Sequence, residues 1–388
     1  RRLYISPMTN QPTSTPSSLV GEVRRGHELD LEKLTVFLKG SKRDLELPLT
    51  VKQFNVGQSN PTYLIIDASG RRFVLRKKPA GQLLSKTAHA VEREYRVLNA
   101  LGRHTDVPVP KVYALCEDTG VLGTPFYLME FLEGRILPDV RLPEIRAAER
   151  RVYWEALVDV LAKLHKVDYR AVGLQGYGKP SGYYDRQMRS LTRVAEAQAA
   201  TVDSKGVSVG GLYRLDHLKR WFASNQCPDE TTIVHGDFKM DNVVWHPLEP
   251  KIIGILDWEL STLGNPRTDL ANMLQPLLVP YADMKSQSSI LVGLKDAPAA
   301  EGAPDEQALL RRYCRLMQRD YPLEGWEFAK IFGLFRNAVI QQGVAARVAK
   351  GQASSSFAHL VGKVFPQTMA MAMEIVDGLE TQSRRSKL

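Results

Sequence analysis

The sequence predicts an α+β fold, with strands gathered in its first third and helices in the rest. Three observations point there. Short β-branched or apolar runs bounded by Gly, Pro or Ser recur between residues 49 and 132. From residue 143 onward, apolar side chains return at helical spacing over several long segments. Within that second part, residues 232–257, T-I-V-H-G-D-F-K-M-D-N-V-V-W-H-P-L-E-P-K-I-I-G-I-L-D, read as a strand, a polar loop, a hairpin and a final acid. Runs of strands followed by runs of helices define the α+β class rather than an alternating βαβ sheet.

Residues 1–27 are rich in Ser, Thr and Pro, which predicts a disordered leader; Met8 is a candidate initiator, and no secretory apolar core is present. Asp30 caps a helix to Leu38, with Leu31, Leu34 and Leu38 on one face, and 39–44 is a charged connector. Runs 49–56 and 62–67 flank G-Q-S-N-P at 57–61. Read alone this is an ordinary hairpin, though its backbone N–H groups could approach phosphates. With one Gly there instead of three, Ser59 or Asn60 would have to donate side-chain hydrogen bonds. A third strand, 71–77, puts Phe73 and Leu75 on one face, Val74 and Arg76 on the other. A helix over 86–101 follows, with Val91, Tyr95 and Leu98 on its buried stripe. Alternate prolines keep 107–112 extended into an edge strand, and 125–132, P-F-Y-L-M-E-F-L, is apolar and strand-like.

In the second part, Val152, Leu157, Val160, Leu161 and Leu164 predict an amphipathic helix over 143–165. His165 at its end reads as a capping or packing residue without chemistry. Helical patterns near 185–200 and 212–222 are separated by a glycine-rich linker. G-N-P-R-T-D-L-A-N-M, 264–273, turns into a helix with Asp269 in its first turn, where the helix dipole favours a carboxylate. Residues 286–304 read as a mobile loop, and 305–319, 326–350 and 354–379 as closing helices.

The 232–257 pattern places Asp237, Asn242 and Asp257 at one end of a small sheet. Magnesium takes oxygen ligands, few of them from protein, and leaves the rest to water and nucleotide phosphates. An amide and a carboxylate for the ion, with a second carboxylate to accept a hydroxyl proton, are the parts of a phosphoryl transferase. Their order matches the protein-kinase arrangement H-x-D-x4-N followed by a metal-binding Asp after a strand. Here Gly236 replaces the kinase Arg, and Asp257-Trp258-Glu259 stands in place of D-F-G.

With those replacements the chain resembles the aminoglycoside-phosphotransferase-like (choline kinase-like) family, and within it the kinase domain fused to some acyl-CoA dehydrogenases. The matching segments are Q-F-N-V-G-Q-S-N-P-T-Y, F-V-L-R-K-K-P, V-E-R-E-Y-R-V-L, V-H-G-D-F-K-M-D-N and I-L-D-W-E-L-S-T-L-G-N-P-R-T-D-L, and the likeness covers about residues 31–379. It implies a two-lobed protein-kinase-like fold. An N-lobe over 28–132 holds a small antiparallel sheet and one helix; a mainly helical C-lobe over 133–383 carries the catalytic loop. It further implies ATP and Mg2+ as cofactors. ATP sits under the turn of Gly57, Ser59 and Asn60, with its phosphates on Arg76 (or Lys77 or Lys78), oriented by Glu94 (or Glu92). The adenine pairs with the main chain near Glu130 and Leu132. Asn242 and Asp257 hold magnesium with Glu259 beyond them, Asp237 is the catalytic proton acceptor, and Asp269 holds the catalytic loop by accepting backbone N–H bonds. The branch implies a hydroxyl of a 4-hydroxyacyl-CoA as acceptor, in peroxisomal fatty-acid breakdown. No dehydrogenase-like segment follows within these residues.

Other small alcohols (an amino sugar, choline, a sugar) and a catalytically silent binding module are the alternatives. A cationic acceptor calls for an acidic pocket, whereas 173–229 is mixed to basic. The lack of an A-P-E segment argues against a protein substrate. Over 388 residues the formal net charge is +9, which suits anionic ligands such as nucleotides or coenzyme A. No Lys/Arg block interleaves with aromatics, so nucleic acid is not expected, and no apolar run is long enough for a membrane span. Cys116, Cys227 and Cys314 lie far apart without C-x-x-C spacing, which fits a reducing compartment rather than disulfides or zinc. The tail 384–388 ends in Ser386-Lys387-Leu388, a peroxisomal (or glycosomal) address with an import receptor as partner.

Overall fold

The computed structural model describes residues 20–42, 44–55, 60–79, 90–281, 291–352 and 358–386. The expectations for Gly57 and Ser59, for most of the leader, and for Lys387 and Leu388 lie outside these residues. Two compact units emerge: residues up to Arg96 with Lys111–Phe131, and Val97–Pro110 with everything from Leu132 onward.

In the first unit, strands β1 (Val20–Gly21), β2 (Thr50–Phe54), β3 (Thr62–Ile66), β4 (Arg72–Lys77), β5 (Val112–Cys116) and β6 (Phe126–Glu130) form one sheet, ordered β1-β2-β3-β4-β6-β5. All neighbours are antiparallel. Register aligns Tyr63 with Leu75 and Leu75 with Leu128, so these side chains make one cross-strand row, with Ile65 and Phe73 alongside. Helix α1 (Leu31–Ser41) covers that face with Leu34 and Leu38, both fully buried, and starts where the Asp30 side chain accepts the N–H of Lys33. Leu31 is not part of the stripe: it is 43% exposed, and the helix runs on through the expected connector to Ser41. A short helix, α3 (Thr119–Leu122), adds Leu122 to the same core.

The other face of the sheet carries Arg76 and its cross-strand partner Tyr127. Helix α2 (Val91–His104) begins in this unit. Its buried stripe passes through Val91, Glu94, Leu98 and Leu101: Val91 and Leu98 are buried as expected, while Tyr95 is only half-buried and Glu94 takes its place. A carboxylate replaces an aromatic in the core because it has partners there, described below.

In the second unit, α4 (Ala147–His165) buries Tyr153, Trp154, Leu157, Val158 and Leu161. Val152 is 42% exposed and Val160 half-buried, since the two large aromatics, not the valines, claim the inner face. Then come α5 (Tyr183–Ala199), α6 (Leu215–Ser224), β7 (Thr232–Val234), the antiparallel hairpin β8 (Val243–Trp245) and β9 (Ile252–Ile255), and β10 (Thr262–Gly264), which pairs with β7. Helices α7 (Arg267–Leu274), α8 (Glu306–Met317), α9 (Trp326–Ala349), α10 (Ala358–Val361) and α11 (Phe365–Arg385) complete it. α9 is the axis, packing on α5, α7, α10 and α11.

The segment expected as one helix over 354–379 is split between α10 and α11. At Gly362 a Cβ would sit 2.9 Å from the Cα of Ala345, so the chain crosses α9 where only glycine fits. Of the expected mobile loop, the described part is fastened: Leu294 is buried and donates its N–H to Pro276 O at 2.8 Å. All three cysteines are free thiols. No helix among the described residues is long and apolar enough to cross a membrane.

Leu75 is fully buried at the centre of the first unit's sheet. Leu75→Ala is expected to cost about 2–5 kcal/mol, read as a lower urea midpoint for loss of β-sheet signal; an unchanged midpoint would contradict this core assignment.

Candidate active site

In the second unit β7 is a short buried strand, and the chain leaves it at His235 into a turn that only glycine can make. Gly236 has φ +86°, and a Cβ there would lie 2.5 Å from Leu260 O. The turn is held from α7. Asp269, 1% exposed, accepts the N–H of His235 at 2.7 Å and of Gly236 at 2.8 Å. This is the loop-holding role that the resemblance implied. His165 stands against the same carboxylate at 3.4 Å and bonds Tyr313 Oη at 2.7 Å through its other nitrogen. Burial by itself disfavours the Asp269 charge. The hydrogen bond from His165, the two neighbouring imidazoles and the N–H of Gly236 outweigh it, and hold the carboxyl below its ordinary value of 3.8.

His235 carries this support further. Its Nε2 donates to Leu256 O at 2.8 Å, and its Nδ1 accepts the N–H of Asp237 at 3.2 Å. Leu256 in turn donates its N–H to Asn242 O at 2.8 Å, continuing the β8–β9 pairing by one step. The next residue, Asp257, is left-handed, with φ 64° and ψ 60°. That conformation costs a non-glycine residue on the order of 1 kcal/mol or more, and it turns the chain sharply from β9 into the 3-10 turn of Trp258 to Leu260 that contains Glu259.

The Asp237 carboxylate is fixed on both oxygens. Asn242 Nδ2 donates to Oδ2 and to the main-chain oxygen of Asp237, both at 2.9 Å. Asn272 Nδ2 donates to Oδ1 at 3.3 Å and to Phe238 O at 3.1 Å. Lys239 Nζ lies 3.3 Å from Oδ2 and 3.4 Å from Asp241. Desolvation pulls the Lys239 ammonium down, but the charges of Asp237 and Asp241 raise it above its ordinary value. Arg336 reaches in from α9 and donates from Nη2 to Gly236 O.

The first unit holds the other expected set. Glu94, 1% exposed, accepts from Asn60 Nδ2 at 2.7 Å and from Tyr127 Oη at 2.9 Å, and pairs with Arg76 Nε at 3.0 Å. Between Glu92 and Glu94, then, Arg76 takes Glu94, while Glu92 lies 4.0 Å from Lys78. Burial lowers the Lys77 ammonium. Asn60 differs from its expected part: its amide nitrogen braces Glu94, because the side chain is buried (2% exposed) rather than displayed at the turn. At the expected hinge, the N–H of Glu130 donates to Lys111 O at 2.8 Å, and its carboxylate accepts the N–H of Lys111 at 3.1 Å. Leu132 belongs to the second unit and packs against Gly254, where a Cβ would meet its Cδ1 at 2.0 Å.

Five contributors lie outside the sequence-based set: His165, Lys239, Asn272, Tyr313 and Arg336. Two had local signals. Lys239 is two residues past Asp237, and Asn272 is one turn past Asp269 on the same helix.

A strand arginine paired with a helix glutamate, and an Asp–Asn–Asp set carried by loops, on this topology define an α+β phosphotransferase of the protein-kinase-like class. The chain belongs to the phosphotransferase enzyme family APH, which matches residues 50–323, a span containing both sets. It is 38% identical over 355 residues to acyl-CoA dehydrogenase family member 10 of Mus musculus, covering 91% of this chain and 32% of that protein. A solved chain from Ralstonia eutropha, provisionally described as an aminoglycoside phosphotransferase, is 37% identical, with a TM-score of 0.77 over 90% of this chain and 99% of that one. The aminoglycoside phosphotransferase APH(4)-Ia, solved with AMP-PNP and hygromycin B, shares the fold at 16% identity, with a TM-score of 0.51 over 88% of this chain and 97% of that one. The chain spans less than half the length of the curated relatives it matches. The family and the α+β fold read from the sequence are thereby borne out.

Asp269→Asn keeps the shape but offers one acceptor oxygen to two backbone donors. It is expected to cost about 3–5 kcal/mol, lowering the melting temperature and turnover together. A group whose folded-state pKa is depressed stabilises when ionised. The deficit should therefore be constant near neutral pH and close only below pH 3.8, as acid protonates the folded-state carboxyl of the wild type. A variant that melts with the wild type at neutral pH would refute this role.

Proposed function

We propose that this chain transfers the γ-phosphoryl group of ATP to a hydroxyl of a small molecule with the help of magnesium. We further propose that the acceptor is a hydroxyacyl-CoA of the 4-hydroxyacyl type, handled in peroxisomal fatty-acid breakdown. The observation that carries the proposal is the Asp237 carboxylate, locked by Asn242 and Asn272, in a loop that a buried acid holds from behind. Such a carboxylate is preset to orient a hydroxyl and take its proton.

The donors fit magnesium. The Asn242 amide nitrogen is committed to Asp237, so its oxygen remains as a hard acceptor, and Asp257 adds a carboxylate after a peptide bonded to Asn242. Bound there, the ion would neutralise charge between phosphates. Arg76, fixed by Glu94, is the cation for the α- and β-phosphates in the first unit. In the transfer, the acceptor oxygen bonds to the γ-phosphorus as the bond from that phosphorus to the bridging oxygen breaks. ADP leaves, and the hydroxyl proton passes to Asp237. The protein's contribution is positioning and charge stabilisation rather than covalent chemistry. Kinship with acyl-CoA dehydrogenase family members and a net charge of +9 support an acyl-CoA acceptor.

Asp237→Asn is expected to fold and bind Mg-ATP while losing about 10²- to 10⁴-fold in transfer rate. Asp257→Asn should also weaken magnesium-dependent nucleotide binding. The measurement is phosphorylated product from 4-hydroxyacyl-CoA and from other alcohols, and near-normal turnover in the Asp237 variant would overturn the assignment.

The address is a separate proposal: at a free C-terminus, Ser386-Lys387-Leu388 directs peroxisomal import. A fluorescent reporter ending in these residues is expected in peroxisomes; a cytosolic reporter would rule the signal out.

A further inference from the structure

We propose that Arg336 and Ile340 form an acceptor-recognition face, which selects an alcohol carrying an anionic group on an apolar chain. The proposal deepens the phosphotransfer reading above and rests on it. Arg336, half-buried on α9, donates from Nη2 to the main-chain oxygen of Gly236, the residue before Asp237. A guanidinium offers five N–H donors in a rigid fork. Among the described residues, that carbonyl is its hydrogen-bond partner and no carboxylate lies within ion-pair distance.

Arg267, Arg150 and Arg312 of this unit each pair with a carboxylate, Glu230 at 2.7 Å, Glu301 at 3.0 Å and Asp159 at 2.6 Å, whereas Arg336, like Arg135 with His246 O and Tyr153 Oη, is held by uncharged oxygen. Arg336 differs from Arg135 in its place: it is a cation beside the catalytic loop, with no carboxylate at ion-pair distance among the described residues. A half-buried charge without a counter-ion is costly, and a carboxylate or phosphate docking bidentately on the fork relieves that cost. Ile340 lies one turn further along the same helix face and is 47% exposed, an apolar side chain displayed next to the cation. Together they suit an anion joined to a hydrocarbon chain. They repel the ammonium groups of an amino sugar or choline.

The anion could be the carboxylate of a free hydroxy acid or a phosphate of its coenzyme A thioester, and the test separates them. Binding of decanoate and decanoyl-CoA, which lack an acceptor hydroxyl, would be measured by calorimetry in wild type, Arg336→Gln and Arg336→Lys, with folding checked by melting temperature. Turnover would be measured with a 4-hydroxy fatty acid, its methyl ester, its CoA thioester and kanamycin.

Arg336→Gln is expected to weaken anion binding and to lower kcat/KM for one anionic acceptor, the free acid or the CoA thioester, by about 10- to 100-fold relative to the uncharged methyl ester. The loss should fall mainly on KM, and Arg336→Lys should keep part of the selectivity. Loss confined to the thioester would identify the coenzyme phosphates as the anion; loss confined to the free acid would identify the carboxylate. An equal loss for acid and ester would overturn the proposal, leaving Arg336 as a brace for the loop, as would wild-type preference for kanamycin. Arg336-dependent binding of decanoyl-CoA without phosphorylation of any alcohol would support the recognition face and reject the phosphotransfer reading.

Discussion

The Asp269 carboxylate is the constraint on which the second unit's chemistry depends. A buried charge survives only when hydrogen bonds replace the water it has lost. Here the replacements are two successive backbone N–H groups of the loop and His165, itself bonded to Tyr313. The acid therefore cannot be satisfied unless the loop adopts one conformation, and the loop cannot open without stranding a charge. His235 relays the same constraint to the peptide before Asp257 through Leu256. One anion on α7 thus fixes two loops from two parts of the chain.

Glu94 does the corresponding work in the first unit. It too is almost fully buried, and its partners come from the sheet (Tyr127, Arg76) and from the bend before β3 (Asn60) rather than from its own helix. In both units the group that meets solvent is held by a carboxylate that does not. Removing either buried acid would leave an arginine or a pair of peptide N–H groups unbalanced, so the supporting acids are tied to stability and the functional groups in front of them to chemistry.

The parts legible in the sequence were those with short-range causes. Asp237, Asn242 and Asp257 lie on one strand-loop-hairpin run, and the Asp30 cap is set by its own first turn. Choosing Glu94 over Glu92 needed family likeness, since both sit on the first turns of α2; in the structure Glu94 is the one that meets Asn60, from the bend before β3, and Tyr127, from β6. His165 looked like a helix-end residue because its carboxylate partner is 104 residues away, and Arg336 acts across 100 residues. Helical periodicity found Leu157, Leu161 and Leu164 of α4 but missed Tyr153 and Trp154, which are buried where Val152 is exposed. It also ran α10 and α11 together, since the close crossing at Gly362 depends on α9 rather than on local propensity.

The left-handed backbone of Asp257 narrows what that position can be. Side chains differ in what φ near 64° costs them: glycine nothing, asparagine and aspartate a modest penalty, and longer side chains more, though Leu142, Arg214 and Gln318 take φ of 53° elsewhere in this chain. The proposed ligand chemistry asks for a carboxylate. Glutamate meets the second demand and fits the first less well, while glycine and asparagine do the reverse. Aspartate is the one residue type common to both short lists. Its preference at that site is as much a matter of torsion angles as of charge, and a directed-evolution library varied at residue 257 would find glutamate penalised by the backbone as well as by its longer reach.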